Sequence, residues 1–159
     1  MKQEWKTETD GISCTVTVSD EREALLAAQA AGGAIIGIWD PESGREEAFP
    51  PGCLYLVPSI RDVTPALLER AARRHLDLPL EIARTARLTI REFAAADPLE
   101  PESAWDGDGV FSHREKREAY RRNQYRFFEC GLWALVHTES GRLIGKAGMT
   151  GGELGYHIY

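Results

Sequence analysis

At 159 residues, 43% of them apolar and 28% charged, the chain has the length and balance of a folded globular protein, one ordinary domain or two small lobes, and not of a disordered one. A formal net charge of −6 argues against general affinity for nucleic acid or anionic membrane, since both depend on clustered Lys and Arg. The opening MKQEWKTETDG has no apolar run of signal-peptide length, and no window reaches the roughly 18 apolar residues of a membrane helix, so the expectation is a cytoplasmic protein without nucleic-acid or membrane partners.

From Ile12 to Val18 the residues alternate, with Ile12, Cys14, Val16 and Val18 on one face of a predicted strand. Asp20 and Glu23 have capping-box spacing for a helix through Leu25, Leu26 and Ala28 that ends at Gly32-Gly33. Ala34 to Trp39 is almost continuously apolar, as in a parallel strand covered on both faces, and strand, helix and strand together suggest a βαβ unit. DPESGREE (residues 40–47) is turn chemistry, and Cys53 to Val57 reads as a third strand. Thr64 and Pro65 supply the cap and first residue of a helix through Leu68, Ala71, Ala72 and His75.

Ligands of open α/β sheets sit beyond the carboxyl ends of the strands, which singles out Ser19, Asp20 and Asp40; helix capping is the plainer role for Ser19 and Asp20. The three cysteines, Cys14, Cys53 and Cys130, are widely spaced without a C-x-x-C pair, so they are expected to be reduced, and no metal site is expected. A first lobe is therefore predicted over residues 1–83 and a second over residues 84–159.

In the second lobe, Leu88 to Phe93 reads as a strand and 94–109, with Pro98, Pro101, Gly107 and Gly109, as a long loop. Asp106 and Asp108 there suit a solvated acidic loop better than a cation site, which needs more oxygen ligands at fixed offsets. His113 to Glu129 has helical character and ends at Gly131. Three antiparallel strands follow, Leu132 to His137, Leu143 to Met149 and Leu154 to Tyr159, joined by turns at Glu139-Ser140-Gly141-Arg142 and Gly151-Gly152.

The run Trp133-Ala134-Leu135-Val136, Glu139-Ser140-Gly141, Leu143-Ile144-Gly145, Ala147-Gly148 and Glu153-Leu154-Gly155-Tyr156 resembles the second to fourth strands of the GNAT superfamily of acyl-CoA N-acyltransferases, in particular its ribosomal-protein-alanine acetyltransferase-like branch. Pro98 and Pro101 fall where that family has its first helix. The expected fold class is thus α/β (α+β mixed): a small Rossmann-like N-terminal lobe followed by the N-terminal half of a GNAT fold.

The resemblance implies direct transfer of an acetyl group from acetyl-CoA to a primary amine on a small molecule or peptide. It sets the pantetheine arm beside the last strand, bonded to main-chain groups of Gly155, Tyr156, His157 and Ile158. Glu153 matches a position where family members carry a general base; the alternative is a solvated residue beside a Gly-Gly turn. His157 is a reserve candidate for proton transfer, or a structural histidine. Arg117, Arg121 and Arg122 could attract an anionic group, but interleaved Glu115 and Glu118 favour a solvated, self-paired helix face.

Family members continue after the fourth strand into a loop that holds the CoA pyrophosphate on a helix N-terminus. The chain stops at Tyr159, so an incomplete acyltransferase is expected, with its last strand left as an edge through which two copies could pair. The reading from a different class is a non-catalytic ligand-sensing or protein-interaction module.

Overall fold

The computed structural model describes residues 1–43, 49–101 and 109–159. Residues 44–47 of the predicted turn, and Asp106, Gly107 and Asp108 of the acidic loop, lie outside these. The chain is of mixed α/β class, with two sheets in two compact units, Met1–Leu78 and Pro79–Tyr159.

The first unit holds a four-stranded sheet in the order β1-β2-β3-β4, from β1 (Lys2–Thr9), β2 (Ile12–Ser19), β3 (Ala34–Ile38) and β4 (Leu56–Val57). Strand β1 was not anticipated from sequence. It pairs antiparallel with β2 through a two-residue loop, Asp10-Gly11, in which both residues have positive φ (52° and 78°). That loop twists the way paired strands twist, which is why Asp-Gly is favoured there.

Strands β2, β3 and β4 are mutually parallel. Helix α1 (Arg22–Ala30) connects the first two and stops where Gly32 (φ 78°) turns the chain, so that Gly33 N–H reaches the Ala28 carbonyl at 2.9 Å. The expected Asp20–Glu23 capping box does not form. The helix begins one residue later, with Glu21 as N-cap and no side-chain cap, while Asp20 pairs with the Met1 ammonium.

Strand β4 is shorter than the predicted Cys53–Val57, and Trp39 lies past the end of β3. Thr64 caps α2 (Pro65–His75) as expected, its hydroxyl accepting from Leu67 N–H at 3.2 Å. Leu68, Ala71 and Ala72 of α2 pack on Cys14, Val16, Val18, Ile36 and Val57. Burying each of the larger aliphatic side chains contributes about 1.5–3 kcal/mol.

The second unit is a five-stranded antiparallel sheet in the order β5-β6-β7-β8-β9. Its strands are β5 (Glu81–Arg84), β6 (Leu88–Arg91), β7 (Leu132–His137), β8 (Leu143–Thr150) and β9 (Glu153–Ile158). Pairing of β5 with β6 brings residues 81–84 into this unit, so the division falls ahead of the 83/84 boundary read from sequence. Strand β6 ends at Arg91, and the Phe93 N–H turns to the Tyr125 hydroxyl at 3.3 Å.

The helical segment after Gly109 comprises α3 (Arg114–Tyr120), a π-helical turn (Arg121–Tyr125) and α4 (Arg126–Phe128). It ends at Glu129, in the left-handed conformation (φ 51°), rather than at Gly131. The wider π turn brings residues five apart onto one side, so Tyr120 and Tyr125 meet edge to face with ring centroids 5.4 Å apart. Together they hold the start of β7. The Tyr120 hydroxyl accepts from Leu132 N–H at 2.7 Å, and the Tyr125 hydroxyl donates to the Leu132 carbonyl at 2.5 Å. Burial pushes both phenols above their ordinary pKa, so they stay protonated and can donate.

Candidate functional site

Strand β9 carries every residue that the resemblance assigns to chemistry or cofactor, and it is an edge of the second sheet. The β8–β9 turn is Gly151-Gly152, both at positive φ (61° and 86°), a two-residue loop that sets Thr150 opposite Glu153. From there Gly148 faces Gly155, Lys146 faces His157 and Ala147 faces Tyr156.

In an antiparallel ladder, main-chain groups point alternately toward and away from the partner. Tyr159 N–H donates inward to the Ile144 carbonyl at 2.9 Å. By the two-residue period Glu153, Gly155 and His157 also bond toward β8, whereas the N–H and C=O groups of Leu154, Tyr156 and Ile158 point out along the open edge. Of the four residues assigned to pantetheine, Tyr156 and Ile158 therefore present free main-chain groups; Gly155 and His157 have theirs committed to β8.

The side chains divide by the same alternation. Leu154, Tyr156 and Ile158 share one face with Met149 and are 80%, 81% and 55% exposed. On the other face His157 is half-buried, its ring 5.9 Å from that of Tyr159. Gly155 has no atom within 4 Å of where a Cβ would stand, so this part of the face is open. Glu153 is exposed at the turn.

Lys146, the register partner of His157, is buried, with its ammonium 2.8 Å from the fully buried Glu100 carboxylate and 4.7 Å from the Phe111 ring centroid. Sequence reading singled out neither residue. A lysine in the apolar run LIGKAGM was the available signal, since alternation turns it to the same side as Gly148; Glu100 sits in an irregular segment with no periodicity to mark it.

The arginine cluster is not a solvated helix face. Arg117 is 1% exposed and donates to the carbonyls of Pro98 (2.6 Å), Asp97 (2.6 Å) and Ala95 (3.4 Å). Burial holds its guanidinium below the ordinary arginine pKa. Arg121 is buried as well, donating to the Phe93 carbonyl at 2.6 Å and to Glu118 at 2.9 Å. Of the three, only Arg122 is exposed. These arginines fasten the segment after β6 to the helix, and Arg91 completes the tie by bonding both Asp97 carboxylate oxygens at 2.7 Å.

In the first unit Ser19 and Asp40 serve local structure, and Asp20 pairs with the Met1 ammonium. The Ser19 hydroxyl accepts from Glu21 N–H at 3.0 Å, and Asp40 accepts from Glu42 N–H at 2.9 Å. A polar cleft of about 310 Å³ lies between β2 and the end of α1, lined by Glu4, Ser13, Thr15, Thr17 and Gly33. Its carboxylate, Glu4, is 2.8 Å from Lys2.

Among the described residues no group of three or more His, Cys, Asp or Glu is placed to hold a metal ion, and no helix is long and apolar enough to cross a membrane. Compared with known proteins, the chain matches no family model, no curated protein and no solved structure.

Proposed function

We propose that the second unit is an acyl-CoA-binding module of GNAT type that serves transfer of an acetyl group from acetyl-CoA to a primary amine, and that the first unit is a small Rossmann-like lobe. The observation that carries this reading is the β9 edge: three outward main-chain positions at alternate residues, next to a bare glycine. An extended pantetheine arm, with two amides along its length, has the chemistry to add to such an edge as a further strand does. Antiparallel succession from β6 to β9, with the helical segment inserted between β6 and β7, supports the same reading.

In this scheme Tyr156 and Ile158 bond the arm through their main chains, and Gly155 leaves room beside it. The amine nitrogen attacks the thioester carbonyl carbon, the C–S bond breaks, and the CoA thiolate leaves. Glu153 at the turn takes the proton released by the amine, with His157 in reserve. Bound at this edge, the thioester supplies the electrophile; the chain's own groups orient it and move one proton.

The test is calorimetric titration of acetyl-CoA into the chain and into Tyr156→Pro. Proline removes an N–H that points away from β8, so the ladder survives, as it does at natural edge positions. Losing one net hydrogen bond of about 0.5–1.5 kcal/mol, plus blocking the edge sterically, weakens binding by about tenfold. Tyr156→Ala, which keeps the N–H, changes it far less. Absence of binding by the unaltered chain, or indifference to the proline, overturns the proposal.

A second reading, a non-catalytic interaction module, is favoured by the exposure of Leu154, Tyr156 and Ile158 on the same strand. Thiol release from acetyl-CoA in the presence of primary amines separates the two, because a binding module produces none.

A further inference from the structure

The four sheet edges among the described residues are not equivalent. Strand β1 carries Lys2, Glu4, Lys6 and Glu8; β4 is two residues long; β5 is four residues long with Glu81 and Arg84 at its ends. Charge and brevity of this kind blunt an edge against pairing with another chain. Strand β9, ELGYHI, has six residues, no proline and no lysine, and a single carboxylate at its start.

We propose that β9 is a homodimerisation edge, pairing antiparallel with β9 of a second copy about a two-fold axis at Tyr156. The outward positions fix this register. Tyr156 exchanges its N–H and C=O with Tyr156 of the second copy, and Leu154 pairs with Ile158 on either side of the axis, so every outward main-chain group of these residues finds a partner. A one-residue slip would oppose outward groups to inward ones.

The side chains are self-complementary in the same register. On one face Leu154 meets Ile158 of the second copy and the two Tyr156 rings adjoin, covering the most exposed apolar side chains of the strand. On the other face His157 lies opposite the second copy's Gly155, which has open space for it. Glu153 is diagonal to His157 of the second copy, roughly 7–8 Å away in main chain and within reach of a carboxylate–imidazole hydrogen bond. Apolar pairs on one side and an acid–imidazole pair on the other commit the edge to a second copy of this chain.

One strand pair buries less than the roughly 1,200–2,000 Å² of a stable interface, so the dimer is weak, with Kd on the order of 10–100 µM. It uses the main-chain groups that the cofactor reading assigns to pantetheine. Acetyl-CoA should then dissociate it, and this consequence alone rests on that reading.

The experiment is analytical ultracentrifugation of the chain from about 5 µM to 1 mM, without CoA, alongside amide hydrogen exchange at both limits. Expected are a monomer–dimer equilibrium and concentration-dependent protection of the Leu154, Tyr156 and Ile158 amides but not of Gly155 and His157. Leu154→Lys should weaken the dimer at least tenfold, because the charge falls opposite Ile158. Adding Ile158→Glu to the same chain should restore it, since the two-fold register sets each lysine against a glutamate. All these side chains are exposed, and circular dichroism checks that the variants fold. A monomer throughout, a dimer without alternating protection, or a double variant no stronger than Leu154→Lys overturns the proposal. A dimer indifferent to acetyl-CoA leaves it standing and counts against the cofactor reading instead.

Discussion

Arg117→Met separates the two readings of the helical segment. On a solvated helix face the change would alter stability by no more than about 0.5 kcal/mol. In the structure the guanidinium makes two hydrogen bonds of 2.6 Å to the Pro98 and Asp97 carbonyls and a longer one of 3.4 Å to Ala95. Hydrogen bonds to a charged group are worth about 1.5–3 kcal/mol each, and the carbonyls left behind are costly if they stay dry. Methionine keeps much of the apolar stem but gives up the guanidinium over the Phe93 ring, 5.9 Å from its centroid, and removing a buried cation relieves its desolvation. The two short bonds minus that relief leave a loss of about 3 kcal/mol. Urea unfolding of the full chain, with amide exchange at β6 to β8 reporting the second unit, measures it. A loss under about 1 kcal/mol would refute the reasoning.

Three further outcomes follow from close approaches and thiol burial. Gly148→Ala should cost about 3 kcal/mol or abolish folding of the second unit, because its Cβ would stand 1.9 Å from the Gly131 carbonyl oxygen, main chain that cannot move without parting β8 from the start of β7; chemical denaturation measures this. Among the cysteines, the exposed Cys130 should be alkylated first, while buried Cys14 waits for unfolding. Burial pushes the Cys53 thiol up, and because thiolate is the reactive form, its labelling rate in the native protein should still be rising above about pH 10, where an ordinary thiol of pKa about 8.5 has levelled off. Mass spectrometry of labelled peptides across pH checks both.

What the sequence made legible was whatever depends on periodicity and short-range turn chemistry. The β2 alternation, the Thr64-Pro65 start of α2, the strands β7 and β8 and the Gly151-Gly152 turn all fall where the pattern sets them. Strand β1 had the same kind of signal in Asp10-Gly11, but its lysines and glutamates hid the alternation of Trp5, Thr7 and Thr9. Asp20 failed as a cap for a non-local reason: the Met1 ammonium, brought beside it by the β1–β2 register, takes its carboxylate.

Burial of charge was the least legible feature. Arg117 looks self-paired because Glu115 and Glu118 are near it in sequence, yet its partners are carbonyls at residues 95–98, which only the tertiary fold brings within reach; Arg121 does pair with Glu118 but also reaches the distant Phe93 carbonyl. Lys146 and Glu100 meet for the same reason. The candidate site lies between these extremes. Period two on β9 separates Tyr156 and Ile158 from Gly155 and His157, but which pair has its main chain outward depends on the register with β8, which the Gly151-Gly152 turn and the Tyr159–Ile144 bond set.

The proposed docking of the acetyl-CoA amides on the open edge of β9 is read out by amide-resolved NMR of the full chain at a protein concentration of about 10 µM, titrated with acetyl-CoA. Expected are saturable shifts at the Leu154, Tyr156 and Ile158 amides, smaller ones at Gly155 and His157, and their loss in Tyr156→Pro. Saturating acetyl-CoA that leaves those amides unmoved, or shifts confined to residues 1–78, would contradict it.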